Sequence, residues 1–174
     1  GLPALALGVE PPDPGLMRRP PRDPKEPVVG RRNATIMVLQ GAFIAACALG
    51  AFAFVLYVEH HGEMDGIPMA RTAAFLVLAL SQLFHAFNCR HDTRSLFQLG
   101  IMSNPHLLVA AGVSLALQLT VISIPVLQGI FKTVTLSAAD WIAALIFASL
   151  PLWLMESVKW GLRRRAGSTT PAAA

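Results

Sequence analysis

Charge is scarce in this chain. Only 14% of its 174 residues are charged, while 54% are hydrophobic; an ordinary soluble domain carries about 25% charged residues. That balance argues against a solvated enzyme domain and indicates a membrane protein. Cysteine is scarce too. Cys47 and Cys89 both fall inside apolar stretches, which excludes a disulfide framework and a zinc pattern and leads us to expect two buried thiols. There is no Walker motif, no Gly-rich nucleotide fingerprint and no nucleophile elbow. No soluble stretch is long enough to fold a nucleotide domain. By itself the chain is not expected to hydrolyse anything. It opens at Gly1 rather than Met, with no basic region and no cleavage pattern of a signal peptide. An apolar stub running into a Pro-rich loop reads as the end of a helix, so a fragment of a longer chain is expected.

What the sequence does have is long uncharged runs: Asn33 to Val58, Thr72 to Cys89, Leu107 to Phe131 and Trp141 to Met155. About 20 residues of helix cross a ~30 Å hydrocarbon layer. The runs are continuous rather than alternating, and open strands cannot satisfy their backbone in lipid. The expected fold is therefore all-α: four transmembrane helices over 34–58, 70–90, 106–125 and 140–160, within a membrane domain of residues 33–160. Residues 1–8 would end a preceding helix. Residues 9–32 form a Pro-rich loop, and 161–174 a polar, disordered tail. Pro151 is expected to kink the last helix.

Lys and Arg give the orientation. Six lie in 18–32, two in 90–94 and four in 159–165, leaving only Arg71 and Lys132 elsewhere. The positive-inside rule then puts the Pro-rich loop, the 90–105 loop and the C-terminus in the cytoplasm, with both ends of the four-helix unit on that side. The net charge of +4 is this topology signal and not a nucleic-acid footprint, and no nucleic-acid partner is expected. Arg163, Arg164 and Arg165 act as an orientation anchor near lipid headgroups. The Gly, Ala, Pro and Arg content and the short loops suggest a bacterial inner membrane.

The second span carries the densest polar stripe: Ser81, Gln82, His85 and Asn88, with Cys89 close by. Gln82, His85 and Asn88 recur every third residue and are expected on one helix face. At ~1.5 Å per residue, Gln82 sits roughly 12 Å inside Arg90, near the bilayer middle. Polar groups at that depth face a bundle interior or a cavity. Two readings stand: interhelical hydrogen bonding, or an ion pathway in which Gln82 offers a carbonyl oxygen to a hard cation and His85 a titrating nitrogen. No carboxylate lies deep in any span. Asp140 and Glu156 sit near span ends, where capping or snorkelling accounts for them, so a cation site would need acids from other helices. In the first span, Ala42, Ala46 and Gly50 have small-xxx-small spacing and are expected to form a packing face, as is Asn88 in the second. Gln40 and Gln118 are expected in interhelical hydrogen bonds. His60, His61, Glu63 and Asp65 read as an acidic solvated loop rather than a metal site.

Two stretches carry a resemblance. One is Gly1, Leu2, Pro3, Ala4, Leu7, Gly8, Pro11, Pro12, Asp13 and Met17, followed by Arg19-Pro20-Pro21-Arg22 and Pro24-Lys25-Glu26-Pro27. The other is Phe87-Asn88-Cys89-Arg90 with Ser95-Leu96-Phe97, Gly100 and Asn104. Together they resemble the C-terminal membrane region of P-type cation-transporting ATPases, closest to the calcium-pump branch, over about residues 1–160. The resemblance implies that the four spans are the seventh to tenth helices of a ten-helix pump. It places the family's ion-binding Asp one residue before Gly1, and implies that Pro11, Pro12, Asp13, Arg19, Pro20, Pro21 and Arg22 belong to a cytoplasmic coupling loop. Gln82 falls where two-ion members have a glutamate ligand, so an amide replaces a carboxylate, and a single-calcium cycle or another cation is in keeping with it. No catalytic residue carries over, and no cofactor is implied for this chain. ATP, Mg2+ and a transported cation, calcium, are implied for the parent pump, whose other helices and cytoplasmic domains would be the partners along with membrane lipid. The alternative reading is a stand-alone four-helix accessory or regulatory membrane protein, for which Met17 could be the start.

Overall fold

Apolar chain must pair its own backbone groups, and the long uncharged runs do so as helices. The computed structural model describes residues 1–10, 17, 21, 27, 30–91 and 95–167; of these, the side chains of 32, 97, 99, 101, 162, 163 and 165–167 are not described. Among the described residues there is no strand. The order is α1 (Leu2–Gly8), α2 (Arg31–Phe54), α3 (Ile67–Asn88), α4 (Leu96–Leu99), α5 (Pro105–Ser123), α6 (Pro125–Phe131) and α7 (Ala138–Gly167). A π-helical turn, Val55–Glu59, continues α2. Four segments are long and apolar enough to span a membrane: Asn33–Glu59, Met64–Asn88, Pro105–Ser123 and Ala138–Gly161, with mean hydropathies of 2.2, 1.5, 1.8 and 1.7. These match the four expected spans.

Local chemistry sets the boundaries. Pro68, Pro105 and Pro125 sit in first turns, where a missing N–H costs nothing and the fixed φ suits a helix. Asn104 caps α5, its Oδ1 accepting from Leu107 N at 2.9 Å. Ser137 and Asp140 form a capping box at α7: Ser137 Oγ accepts from Asp140 N at 3.1 Å, and Asp140 Oδ2 accepts from Ser137 N at 3.1 Å. The uncharged run 107–131 is broken at Ile124, which is extended (φ −90°, ψ 120°) because it precedes Pro125. The Gln128 side chain bridges the break by donating to Ile122 O. Helix α7 continues through Pro151 and beyond residue 161 to Gly167. The expected tail from 168 onward lies outside the described residues.

Helix α3 is central, packing on α1, α2, α5 and α7. The main core joins Cys47, Ala48 and Ala51 of α2, Leu76, Val77 and Leu80 of α3, Ile122 of α5, and Ala144 and Ala148 of α7. Alanines let the backbones approach closely. A second cluster joins Ala6 of α1, Ala86 of α3, and Leu107 and Ala110 of α5. Large apolar side chains remain uncovered on the bundle's outside, among them Met37, Val38 and Leu39 of α2, and Val109 and Leu117 of α5. In water such a surface would be a liability; lipid or further helices suit it.

The expected small-residue face divides in this arrangement. Gly50 does meet α7, where an added Cβ would lie 2.9 Å from Phe147 Cε1. Ala42 and Ala46, however, are exposed. Within the bundle, α2 turns its Cys47, Ala48 and Ala51 stripe inward, centred about 150° round from Ala46.

Candidate functional site

One end of the bundle carries Glu10, Arg90 and Asn104; the other carries His60 and Asp140. Helices α1 and α3 run in the same direction toward the Arg90 end. Ala6 packs with Ala86, and Glu10 binds Arg90, so the two helices lie in a constant register of 80 residues. Gln82 is one turn before Ala86 and therefore level with Leu2. It is exposed.

His85 does not join it. Although three residues on, it is half-buried and lines a narrow, mostly apolar crevice with Gln40, Phe43 and Ile44 of α2 and Pro151, Leu154 and Met155 of α7. Its Nε2 lies 3.4 Å from Cys89 Sγ. Three residues turn a helix by about 300°, a displacement of roughly 60°, which here takes the imidazole from the α1 side to the α2–α7 side. Cys89 is exposed, not buried as expected, because α3 ends at Asn88. Ser81 faces α7 and donates to Ala148 O at 3.3 Å. Asn88 is buried, and its carbonyl accepts from Lys159 Nζ at 2.9 Å. Among the described residues its amide N and O have no partner. Gln40 donates to Met155 Sδ across α2–α7 at 2.9 Å. Gln118, also expected in an interhelical bond, has a buried Nε2 without a partner among the described residues. Of the Pro-rich loop, Pro11, Pro12, Asp13, Arg19, Pro20 and Arg22 lie outside the described residues; Pro21 is exposed.

Sequence spacing gave no hint of the polar hub at the Arg90 end. Arg90 Nε and Nη2 donate to Glu10 Oε1 at 3.0 and 2.6 Å. Its Nη1 donates to Gly100 O at 3.0 Å and its Nη2 to Ser103 Oγ at 2.5 Å. Asn104 Nδ2 donates to Glu10 Oε2 at 2.5 Å and to Ala6 O at 3.3 Å. The Arg90 side chain is only 1% exposed. Burial alone would raise the Glu10 carboxyl, but the hydrogen bonds from Arg90 and Asn104 and the guanidinium charge outweigh it, so its pKa lies below the usual carboxylate value. Gly100 permits the turn that aims its carbonyl at Arg90, with φ at +80°.

Nearby, Glu156 caps α4: Ser95 Oγ donates to Oε2 at 2.5 Å and Leu96 N to Oε1 at 3.0 Å. At the opposite end Asp140 is fully buried. Its Oδ1 lies 3.8 Å from His60 Nε2, and neither atom has a hydrogen-bond partner among the described residues. His61, Glu63 and Asp65 are exposed, and no group of three or more His, Cys, Asp or Glu among the described residues could hold a metal ion.

Comparison with known proteins places this geometry. The profile of the family described as cation transporting ATPase, C-terminus, matches residues 1–161. The chain is 37% identical over 155 residues to a calcium-transporting ATPase of Bacillus subtilis, covering 89% of this chain and 17% of that protein. It is 36% identical over 170 residues to calcium-transporting ATPase 1 of Bacillus cereus, covering 91% and 19%. Over 159 residues it is 35% identical to the rat calcium-transporting ATPase type 2C member 2, covering 91% and 16%. The chain thus spans less than a fifth of the length of these relatives.

Proposed function

The chain belongs to the cation transporting ATPase C-terminal family, and from that premise we propose that it is the last membrane domain of an ATP-driven calcium pump, supporting and partly lining the ion pathway. The observation that carries this reading is the family match across residues 1–161, which takes in all four spans. Calcium is supported by the names of the relatives. The parent would bind ATP and Mg2+ and be phosphorylated in domains lying outside this chain. Its remaining helices and cytoplasmic domains, with lipid, are the partners.

Gln82 is the pathway residue. It is an exposed mid-span amide level with the start of α1, and its carbonyl oxygen suits a hard cation. As an amide it brings no charge, so the neutralising carboxylates come from helices beyond this chain. His85, turned into the α2–α7 crevice, would reach the pathway only from that side. Arg31, Arg90, Lys159 and Arg164 belong to the same end of the bundle, and Arg164 stacks 3.8 Å over the Trp160 ring. This supports a cytoplasmic Arg90 end. The Bacillus relatives support a bacterial plasma membrane. The coupling role of the Pro-rich loop belongs to the same proposal.

In the complete pump, reconstituted in lipid vesicles, Gln82→Ala should change the calcium concentration that half-activates ATP hydrolysis. An unchanged calcium dependence would leave Gln82 as a lipid- or helix-facing amide, and absence of any cation-activated ATPase in the native pump would overturn the transport assignment.

A further inference from the structure

We propose that Glu10, Arg90 and Asn104 form a positioning clasp that sets how far α1 sits along α3, and through that the environment of Gln82. The inference rests on the pump reading above and adds to it a set of residues that touch no ion.

Helix α1, Leu2–Gly8, meets α3 and α5. Its apolar contact is a small cluster built on Ala6 against Ala86, Leu107 and Ala110. Alanine contacts of this kind resist separation but resist sliding weakly, since a methyl group offers little relief. Directional bonds define register along the helix axis more sharply.

The clasp supplies them. Asn104 Nδ2 reaches Ala6 O within α1 and Glu10 Oε2 just beyond it, while its Oδ1 is fixed by Leu107 N at the start of α5. Arg90 grips the other Glu10 oxygen with two nitrogens and is itself held by Gly100 O and Ser103 Oγ. Both Glu10 oxygens are thus engaged from two different elements, which fixes the carboxylate in position as well as in charge. Arg90 is buried, so a displaced Glu10 would leave a guanidinium out of water without its counter-ion. The α1–α3 register consequently has one strongly favoured value, and in it Leu2 is level with Gln82. Glu10 is also the residue immediately before Pro11, so any pull along the Pro-rich loop reaches the clasp before it reaches α1.

A positioning role and a purely structural one give different readouts. In the complete pump in vesicles, Glu10→Gln keeps the shape and one carbonyl oxygen but loses the charge. We expect it to shift the half-activating calcium concentration about tenfold, the equivalent of ~1.4 kcal/mol, with the maximal ATPase rate per folded pump retained. Glu10→Asp, which keeps the charge on a shorter arm, should recover part of that shift. Ser103→Ala, which removes one bond to Arg90, should give a smaller shift in the same direction. A native pump that is calcium-activated, combined with a Glu10→Gln pump whose calcium dependence is unchanged while its yield or maximal rate falls, would overturn the clasp and leave the pump reading intact. A native pump without cation-activated ATPase would instead remove the reading on which the clasp rests. Should Glu10→Gln fail to fold, the Ser103→Ala shift decides: its absence overturns the proposal.

Discussion

The two ends of the bundle each bury a charged side chain, and they treat it in opposite ways. At one end Arg90 has four donor contacts to Glu10, Gly100 and Ser103. At the other, Asp140 uses one oxygen to cap α7 and leaves the second 3.8 Å from His60 without a hydrogen bond. A fully paired buried charge fixes its neighbours; one left half-paired raises the cost of holding that end together. The Arg90 end is therefore the better-determined end, even though its partners come from three separate stretches of chain.

The largest test of that contrast is Arg90→Met. It leaves Glu10 and Gly100 O without their main partner, and breaking a buried pair of this kind costs about 3–5 kcal/mol. Thermal unfolding in detergent micelles should show the loss, and a change under 1 kcal/mol would mean that water already serves the site. Next in size is Asp140→Ala. It removes the α7 capping box and should cost about 1 kcal/mol, read in the same assay; equality with Arg90→Met would abolish the distinction between the ends. The third test is acid. The folded-state pKa of Glu10 is lowered, so its contribution is fully present above the unfolded carboxylate pKa and is lost as pH falls through the folded value. Stability should decline over that acidic window in the native protein and less so in Glu10→Gln; parallel pH profiles would show that other carboxylates account for the decline. The smallest expected change is Gln82→Ala, which is exposed and should alter stability by no more than about 0.5 kcal/mol, whatever it does to ion dependence.

The spans were legible because long uncharged runs leave helix as the only workable backbone. The break after Ser123 and the cap at Asn104 were also open to a local reading, since Pro follows both Ile124 and Asn104. Rotation of the helices was not. Helix α2 has small residues on two stripes, Ala42–Ala46–Gly50 and Cys47–Ala48–Ala51, and a helix apolar on all sides carries no polar face to say which stripe turns inward. The Gln82–His85 pairing failed for a similar reason. Three-residue spacing brings side chains near each other but still separates them by about 60°, enough for a neighbouring helix to claim one and not the other. The clasp was illegible because Glu10 and Arg90 are 80 residues apart. No local pattern marks such a pair, and only the parallel packing of α1 on α3 brings it together.

Arg90 has a consequence for how the molecule comes apart. A single guanidinium joins Glu10 just beyond α1, the turn at Gly100 and the approach to α5, so these pieces cannot loosen one at a time without stranding a buried charge. They should open as one cooperative unit. In amide hydrogen exchange, the N–H of Leu107 at the start of α5 and those of α1, about a hundred residues earlier in the sequence, should then exchange at a common rate, so that the first ten residues given and the fifth helix keep the same clock.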